Sequence, residues 1–298
     1  MTQQSITREF LLAQPLPLPK GEVDKDARGR VIVVGGHREV AGAALLAGLS
    51  ALRAGAGKVR IDTVESRAGL LGVAFPEARV CGHEETASGD IAPAAAAAIS
   101  DAVKERDTLI IGPGMLDDAS TGELAAQLLD ALDGPTFVLD AAALTGLRQQ
   151  PHRLKRHAGR IVVTPHAGEM ATFLDIDRDA VQADPVAAAR RAAAETGAVV
   201  IMKGSCTHVV SPQGESWECT LGNVGLATSG SGDTLAGILG ALLARGTKPL
   251  LAAQWAVYLH AEAGARLAQK HGLLGYLARE IPDEVPRIMA EFAEASRP

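Results

Sequence analysis

Aromatic side chains are scarce in this sequence: two tryptophans, two tyrosines and five phenylalanines make up 3% of 298 residues. Since 47% of the residues are hydrophobic, the substantial core such a length allows must be built from Ala, Val, Leu and Ile. Cysteine is almost as rare. Cys81, Cys206 and Cys219 show no CxxC spacing, which argues against a disulfide framework or a zinc site and fits a reducing cytoplasm. No lysine- or arginine-rich block is present and the net charge is −6, so a nucleic-acid surface is disfavoured and a small-molecule site becomes the default. The N-terminus lacks a basic region followed by an apolar run, and no stretch approaches ~18 uninterrupted apolar residues. These absences predict a soluble, cytoplasmic protein without membrane contact.

Two nucleotide signatures are also missing. No GxxxxGK[ST] run occurs, which removes the ordinary P-loop. Gly35-Gly36-His37 leads to Gly42 without the Rossmann glycine spacing, which disfavours a hydride-transfer enzyme holding its dinucleotide in the usual way. Neither a fixed-period repeat nor a linker interrupts the chain, and a single domain over residues 1–298 is expected. Residues 1–28 read as an extended lead-in, because the alternating prolines of QPLPLPK oppose helix.

What is present is a succession of short β-branched runs, each closing on glycine or a polar turn. VIVVGG within Arg28–Gly36 reads as a buried parallel strand, Val40–Gly57 as a small-residue helix, and Lys58–Val64 as strand again. Thr108–Ile111 then runs into GPGM, Thr136–Leu139 into Asp140, Arg160–Val163 into TPHAGEM, and Val199–Met202 into KGSCT. The pattern predicts an α/β fold with a mostly parallel central sheet flanked by helices on both faces, its ligands beyond the carboxyl ends of the strands. The alanine run Ala92–Ala98 reads as the start of a surface helix. The alanine-rich helices Val40–Ala56 and Leu251–Leu267 suit either a subunit interface or internal packing.

The stretch that organises the rest is Gly225–Ala244, GLATSGSGDTLAGILGALLA. Small residues lead into an apolar helix, so the N–H groups of Gly230, Ser231 and Gly232 converge on an anion at the helix start. Asp233 beside that anion makes sense as the base that takes a proton from a hydroxyl attacking a phosphoryl group. The plain alternative is an acidic residue in a helix's first turn. Lys203–Thr207 offers a cation and hydroxyls for nucleotide phosphate or ribose oxygens, or is a β-turn with a solvated lysine. His166 and Glu169 would contact substrate and organise magnesium or water, or form a helix cap with a surface Glu. Gly112-Pro113-Gly114 lets a ligand approach the backbone, or is a plain turn. His260, in an apolar helix, reads as structural.

GGHREVAGAALLAGLSALRAGAGKVRI, IGPGM, VVTPHAGEM, MKGSCT and NVGLATSGSGDTLAGILGALLARG occur together and in order. As a set they resemble the ADP- or ATP-dependent NAD(P)H-hydrate dehydratases of the ribokinase-like superfamily, from about Gly29 to about Ala290. The resemblance implies dehydration of the (6S) hydrate of NADH or NADPH, with ADP (or ATP) as co-substrate, magnesium as cofactor, and AMP (or ADP) and phosphate as products. It implies that Gly42, Ala43, Gly114, His166 and Asp233 hold the hydrate, and that Lys203, Gly204, Ser205, Cys206, Thr207 and Gly232 hold the nucleotide, with Asn223 near it. It further implies a homotetramer and a separate epimerase on another chain. A ribokinase-like kinase of a vitamin-precursor alcohol would share Asp233 and the anion hole but not need TPHAGEM. Three departures from the family pattern stand out: the lead-in Asp24–Gly29, Ala142 where VLDADAL has its second Asp, and Ser229 where glycine is common.

Overall fold

A computed structural model describes residues 4–17 and 25–295. Ten strands form one sheet: β1 (Gln4–Ser5), β2 (Arg30–Val34), β3 (Lys58–Val64), β4 (Arg79–His83), β5 (Thr108–Ile111), β6 (Thr136–Leu139), β7 (Ile161–Val163), β8 (Val199–Met202), β9 (Thr207–Val210) and β10 (Ser216–Cys219). Their order is β1-β10-β9-β8-β7-β6-β5-β2-β3-β4, and β9 alone runs antiparallel to its neighbours. The expected mostly parallel sheet is therefore present, with an antiparallel hairpin, β9–β10, near one edge.

Helices cover both faces, which is why the strands read as continuous apolar runs. In β2, Val31 and Val33 point into one core and Ile32 and Val34 into the other. The first core includes the helices Gly42–Arg53, Ser231–Ala244 and Pro249–His271; the second includes Asp118–Ala131 and Pro185–Thr196.

Scarcity of aromatics is met by close backbone contact. A Cβ placed on Gly237 would lie 2.1 Å from the Ala47 carbonyl oxygen and 2.7 Å from Ser50 Cβ, so the Gly42–Arg53 and Ser231–Ala244 helices meet at main-chain distance. The small residues of the first helix are thus used inside the molecule. Trp255 and Phe292 supply one of the few aromatic contacts, ring centroids 4.6 Å apart at 67°.

Several expectations need correction. The lead-in is not wholly extended: Arg8–Leu12 is helical, capped by the Thr7 hydroxyl, because the prolines at 15 and 17 act only downstream of it. Leu18, Pro19 and Lys20 of QPLPLPK, and Asp24 of the departing lead-in, lie outside the described residues. The alanine run opens as a short 3₁₀ turn at Pro93–Ala95 before the helix Ala96–Ser100, and it is half-buried rather than superficial, with Ala95, Ala96 and Ile99 in the core. Among the described residues no helix is long and apolar enough to cross a membrane.

Candidate active site

The chemistry-bearing side chains gather where β6, β7 and β8 end beside the start of the Ser231–Ala244 helix. Asp140 follows β6 and is buried at 3% exposure. Its Oδ1 accepts a hydrogen bond from Thr164 Oγ1 at 2.6 Å, just beyond β7, and one from Lys203 Nζ at 2.9 Å, just beyond β8. Burial opposes ionisation of Asp140, but the Lys203 cation and the Thr164 hydroxyl outweigh it and hold the carboxyl below its ordinary range. The reciprocal balance applies to Lys203. Burial disfavours its charge, yet Asp140 and then Glu169 raise its pKa. Lys203 is therefore a paired cation inside the site, and the solvated β-turn lysine is excluded. The next residue after Asp140, Ala141, has φ 48°, a left-handed conformation costly for a side chain with a Cβ and concentrated at functional sites.

TPHAGEM does two things at once. His166 caps the helix Ala167–Leu174, its Nδ1 accepting from the N–H of Gly168 at 3.0 Å and of Glu169 at 3.1 Å, while Glu169 Oε2 accepts the His166 N–H at 2.8 Å. The same Oε2 lies 3.6 Å from Lys203 Nζ. The cap is thus real, and Glu169 is not a surface residue but a wall of the site. The other ring nitrogen of His166 is 3.3 Å from Glu169 Oε1, and much of the ring stays exposed.

Opposite these strand ends stands GSGD. Gly230, at φ +87°, makes the left-handed turn into the helix. A Cβ on Gly232 would lie 3.4 Å from Lys203 Nζ and 3.9 Å from Asp140 Oδ2, so the helix start looks onto the Lys203–Asp140 pair. The expected trio of amides is corrected here. Ser231 N–H donates to the Thr228 carbonyl at 3.2 Å, because the turn closes on itself, and its hydroxyl lies 3.1 Å from His260 Nε2. Among the described residues, the N–H groups of Gly230, Gly232 and Asp233 meet no acceptor. His260 acts structurally, as expected: burial pushes its pKa down to about 4, and the neutral ring donates to the Ser231 carbonyl at 3.0 Å.

Asp233 itself accepts no hydrogen bond among the described residues. Burial, reinforced by the neighbouring Asp140 and Glu169 charges and only partly offset by Lys203, pushes its pKa up to about 7.

Around the ends of β2 and β5 the chain forms a glycine cradle. Gly114 has φ +70°, and a Cβ on it would come within 2.6 Å of both Ala43 Cβ and the Val40 carbonyl oxygen. Gly42, by contrast, has open space where its Cβ would be. Ala43 and Gly114 are thus brought together, whereas His166 stands two strands away beyond β7. Gly114→Ala is expected to lower stability by more than ~1 kcal/mol, the left-handed penalty alone; denaturant unfolding checks it.

In the Lys203–Thr207 turn, Gly204 is tight, with Cys206 O 3.1 Å from a Cβ placed on it, and the Cys206 thiol is directed at Glu218 of β10, 3.9 Å away. That side chain faces the hairpin. Ser205 lies on the exposed turn and Thr207 opens β9. Asn223 caps a 3₁₀ turn, its Oδ1 accepting from Gly225 N–H and Tyr276 Oη, both at 2.9 Å, while its buried Nδ2 meets no partner among the described residues.

The family model of NAD(P)H-hydrate dehydratase matches residues 31–287. The chain belongs to this family. It is similar, at 46% identity over 96% of each chain, to the ADP-dependent (S)-NAD(P)H-hydrate dehydratase of Xanthomonas campestris pv. campestris. The structure of the ADP/ATP-dependent NAD(P)H-hydrate dehydratase from Bacillus subtilis, co-crystallised with ATP/Mg2+, is similar at a TM-score of 0.81 and 30% identity, covering 98% of this chain and 99% of that one. A ribokinase-like superfamily protein from Enterococcus faecalis matches at a TM-score of 0.81 and 26% identity, covering 97% and 96%. The fold of this family member is thus ribokinase-like. Sequence reasoning passed over two side chains of this candidate site, Asp140 and Thr164; the signal available was their position, each a polar residue just after a buried parallel strand.

Proposed function

We propose that the chain removes water from the (6S) hydrate of NADH or NADPH at the expense of ADP or ATP, returning NAD(P)H, phosphate and AMP or ADP. The observation that carries the reading is Asp233: a carboxyl that accepts no hydrogen bond among the described residues, poised near neutrality, beside amides likewise unspent among them that face the Lys203–Asp140 pair. A hydroxide is a poor leaving group. In the proposed reaction the C6 hydroxyl attacks the terminal phosphoryl group while Asp233 takes its proton, and the Gly232 and Asp233 amides steady the charge on the transferring group. The ring nitrogen lone pair then expels phosphate from C6, and loss of a C5 proton restores the dihydronicotinamide.

In this reading the Gly42–Ala43–Gly114 cradle and the exposed edge of His166 hold the hydrate, and the Lys203–Thr207 turn with Asn223 lines the nucleotide. Asp140, Glu169 and Asp233 outnumber Lys203, and this surplus of hard oxygen donors fits a magnesium ion carried in with the nucleotide. Asp140 and Glu169 are the residues that would hold it; the ion would supply charge neutralisation on the phosphates. The reading includes a cytoplasmic homotetramer and an epimerase activity that supplies the S hydrate.

The test is recovery of dihydronicotinamide absorbance when the purified chain meets the hydrate with magnesium and either ADP, ATP or no nucleotide. Nucleotide-dependent recovery is expected; flat traces with a folded protein would overturn the proposal. Gly232→Ala separates site from scaffold. The added methyl makes only ordinary contacts and Ala is the better helix former, so stability is expected to hold or rise by up to ~1 kcal/mol. Turnover should nevertheless fall about tenfold to a hundredfold, because the methyl stands between the helix start and Lys203. Unchanged turnover would show that the nucleotide does not approach this face.

A further inference from the structure

We infer that Cys206, His208 and Glu218 form a binding site for a thiophilic divalent cation of the zinc type. The three residues offer a sulfur, an imidazole nitrogen and a carboxylate oxygen, all within 4.8 Å of one another. The hairpin builds the cluster: Cys206 sits in the bend that leads into β9, with its thiol turned toward Glu218, His208 is the second residue of β9, and the antiparallel register sets Glu218 directly opposite His208. Sγ of Cys206 and Oε2 of Glu218 are 3.9 Å apart, close to the ~3.5 Å between sulfur and oxygen ligands of a tetrahedral zinc. His208 is buried and its two companions half-buried, so the cation would sit in a pocket of the sheet and not on open surface.

The donor set decides the class of ion. Magnesium and calcium take oxygen ligands, whereas a thiolate with an imidazole and one carboxylate suits zinc, and three protein ligands leave a fourth position open. The Ser5 hydroxyl donates to the other Glu218 oxygen at 3.4 Å and orients the carboxylate from β1. Occupancy would pin the Lys203–Thr207 turn to β10 through its own Cys206. The inference stands apart from the dehydratase reading, since neither the hydrate nor a nucleotide is needed to observe it.

The experiment is a titration of the chelator-treated full chain with cobalt(II), read in the near-ultraviolet thiolate-to-cobalt band. One saturable cobalt per chain is expected, displaced by zinc and indifferent to magnesium. The band should vanish in Cys206→Ser and persist in Cys81→Ser, whose residue lies on β4 across the sheet. Glu218→Gln, which preserves the size of the strand residue, should weaken cobalt binding. Zinc should also slow alkylation of Cys206 and leave Cys81 unaffected. Absence of the band, its survival in Cys206→Ser, undiminished affinity in Glu218→Gln, or displacement by magnesium would each overturn the proposal.

Discussion

Asp233→Asn is expected to lower kcat by ~10³-fold or more while leaving nucleotide affinity within a few-fold. The amide keeps the size of the side chain but cannot accept the hydroxyl's proton. In the proposed reaction the wild-type carboxylate is the active form, so kcat should rise with pH through about 7 and level off above it. The residual rate of the variant should lack that step. Stability should move the other way. The Asp233 pKa is raised on folding, so the group contributes fully at pH below its unfolded value, and its contribution is lost as pH rises through about 7. Asparagine removes that loss, and the variant should melt higher than wild type above neutrality, by the equivalent of a few kcal/mol at most. Rate profiles and thermal melts on the same preparations check all three. A variant that keeps most of its turnover, or a wild-type profile flat across neutrality, would assign proton removal to another group.

The second large effect is expected at Lys203. Replacing it with methionine keeps the aliphatic stem but leaves Asp140 as a buried charge without its cation, supported by the Thr164 hydroxyl and the Ala141 amide. Breaking one side of a buried pair costs about 3–5 kcal/mol, against ~0.5 kcal/mol or less for a solvated surface lysine. Adding Asp140→Asn should return much of the loss, because the stranded charge is gone; a double-mutant cycle in denaturant measures the coupling. Function should suffer in two ways, through a higher nucleotide requirement and through Asp233, whose pKa Lys203 helps to lower. The pH midpoint of kcat should therefore move upward in Lys203→Met. A small stability change with no shift of the midpoint would return Lys203 to the solvated turn.

How much of this was legible in the sequence depended on whether the cause was local. β3, β5, β6 and β8 have the bounds read from their β-branched runs, because a strand buried on both faces between glycine or polar turns carries its own signal. β1 is two residues long and exists only through pairing with Trp217 and Glu218, which no local pattern encodes. Asp233 and GSGD were visible as a motif. The Asp140–Lys203 pair was not, since its members are 63 positions apart and meet only because β6, β7 and β8 lie side by side. The spent Ser231 amide was equally hidden: it depends on how the turn folds back on Thr228. The cysteine spacing suggested no metal ligands for a similar reason. Cys206 needs a histidine two residues on and a glutamate supplied by strand register, and neither resembles CxxC.

The main-chain contact between the Gly42–Arg53 and Ser231–Ala244 helices has a mechanical consequence. Backbone seated on backbone has no rotamers to exchange, so the two helices behave as one stiff lever with the proposed base near one end and the mouth of the glycine cradle beside it. In the proposed reaction, leverage of that kind would fix the spacing between base and hydrate without any side chain having to choose a pose. Under the same proposal, adjustment to a bound nucleotide would then fall to the opposite jaw, the turn and hairpin after β8.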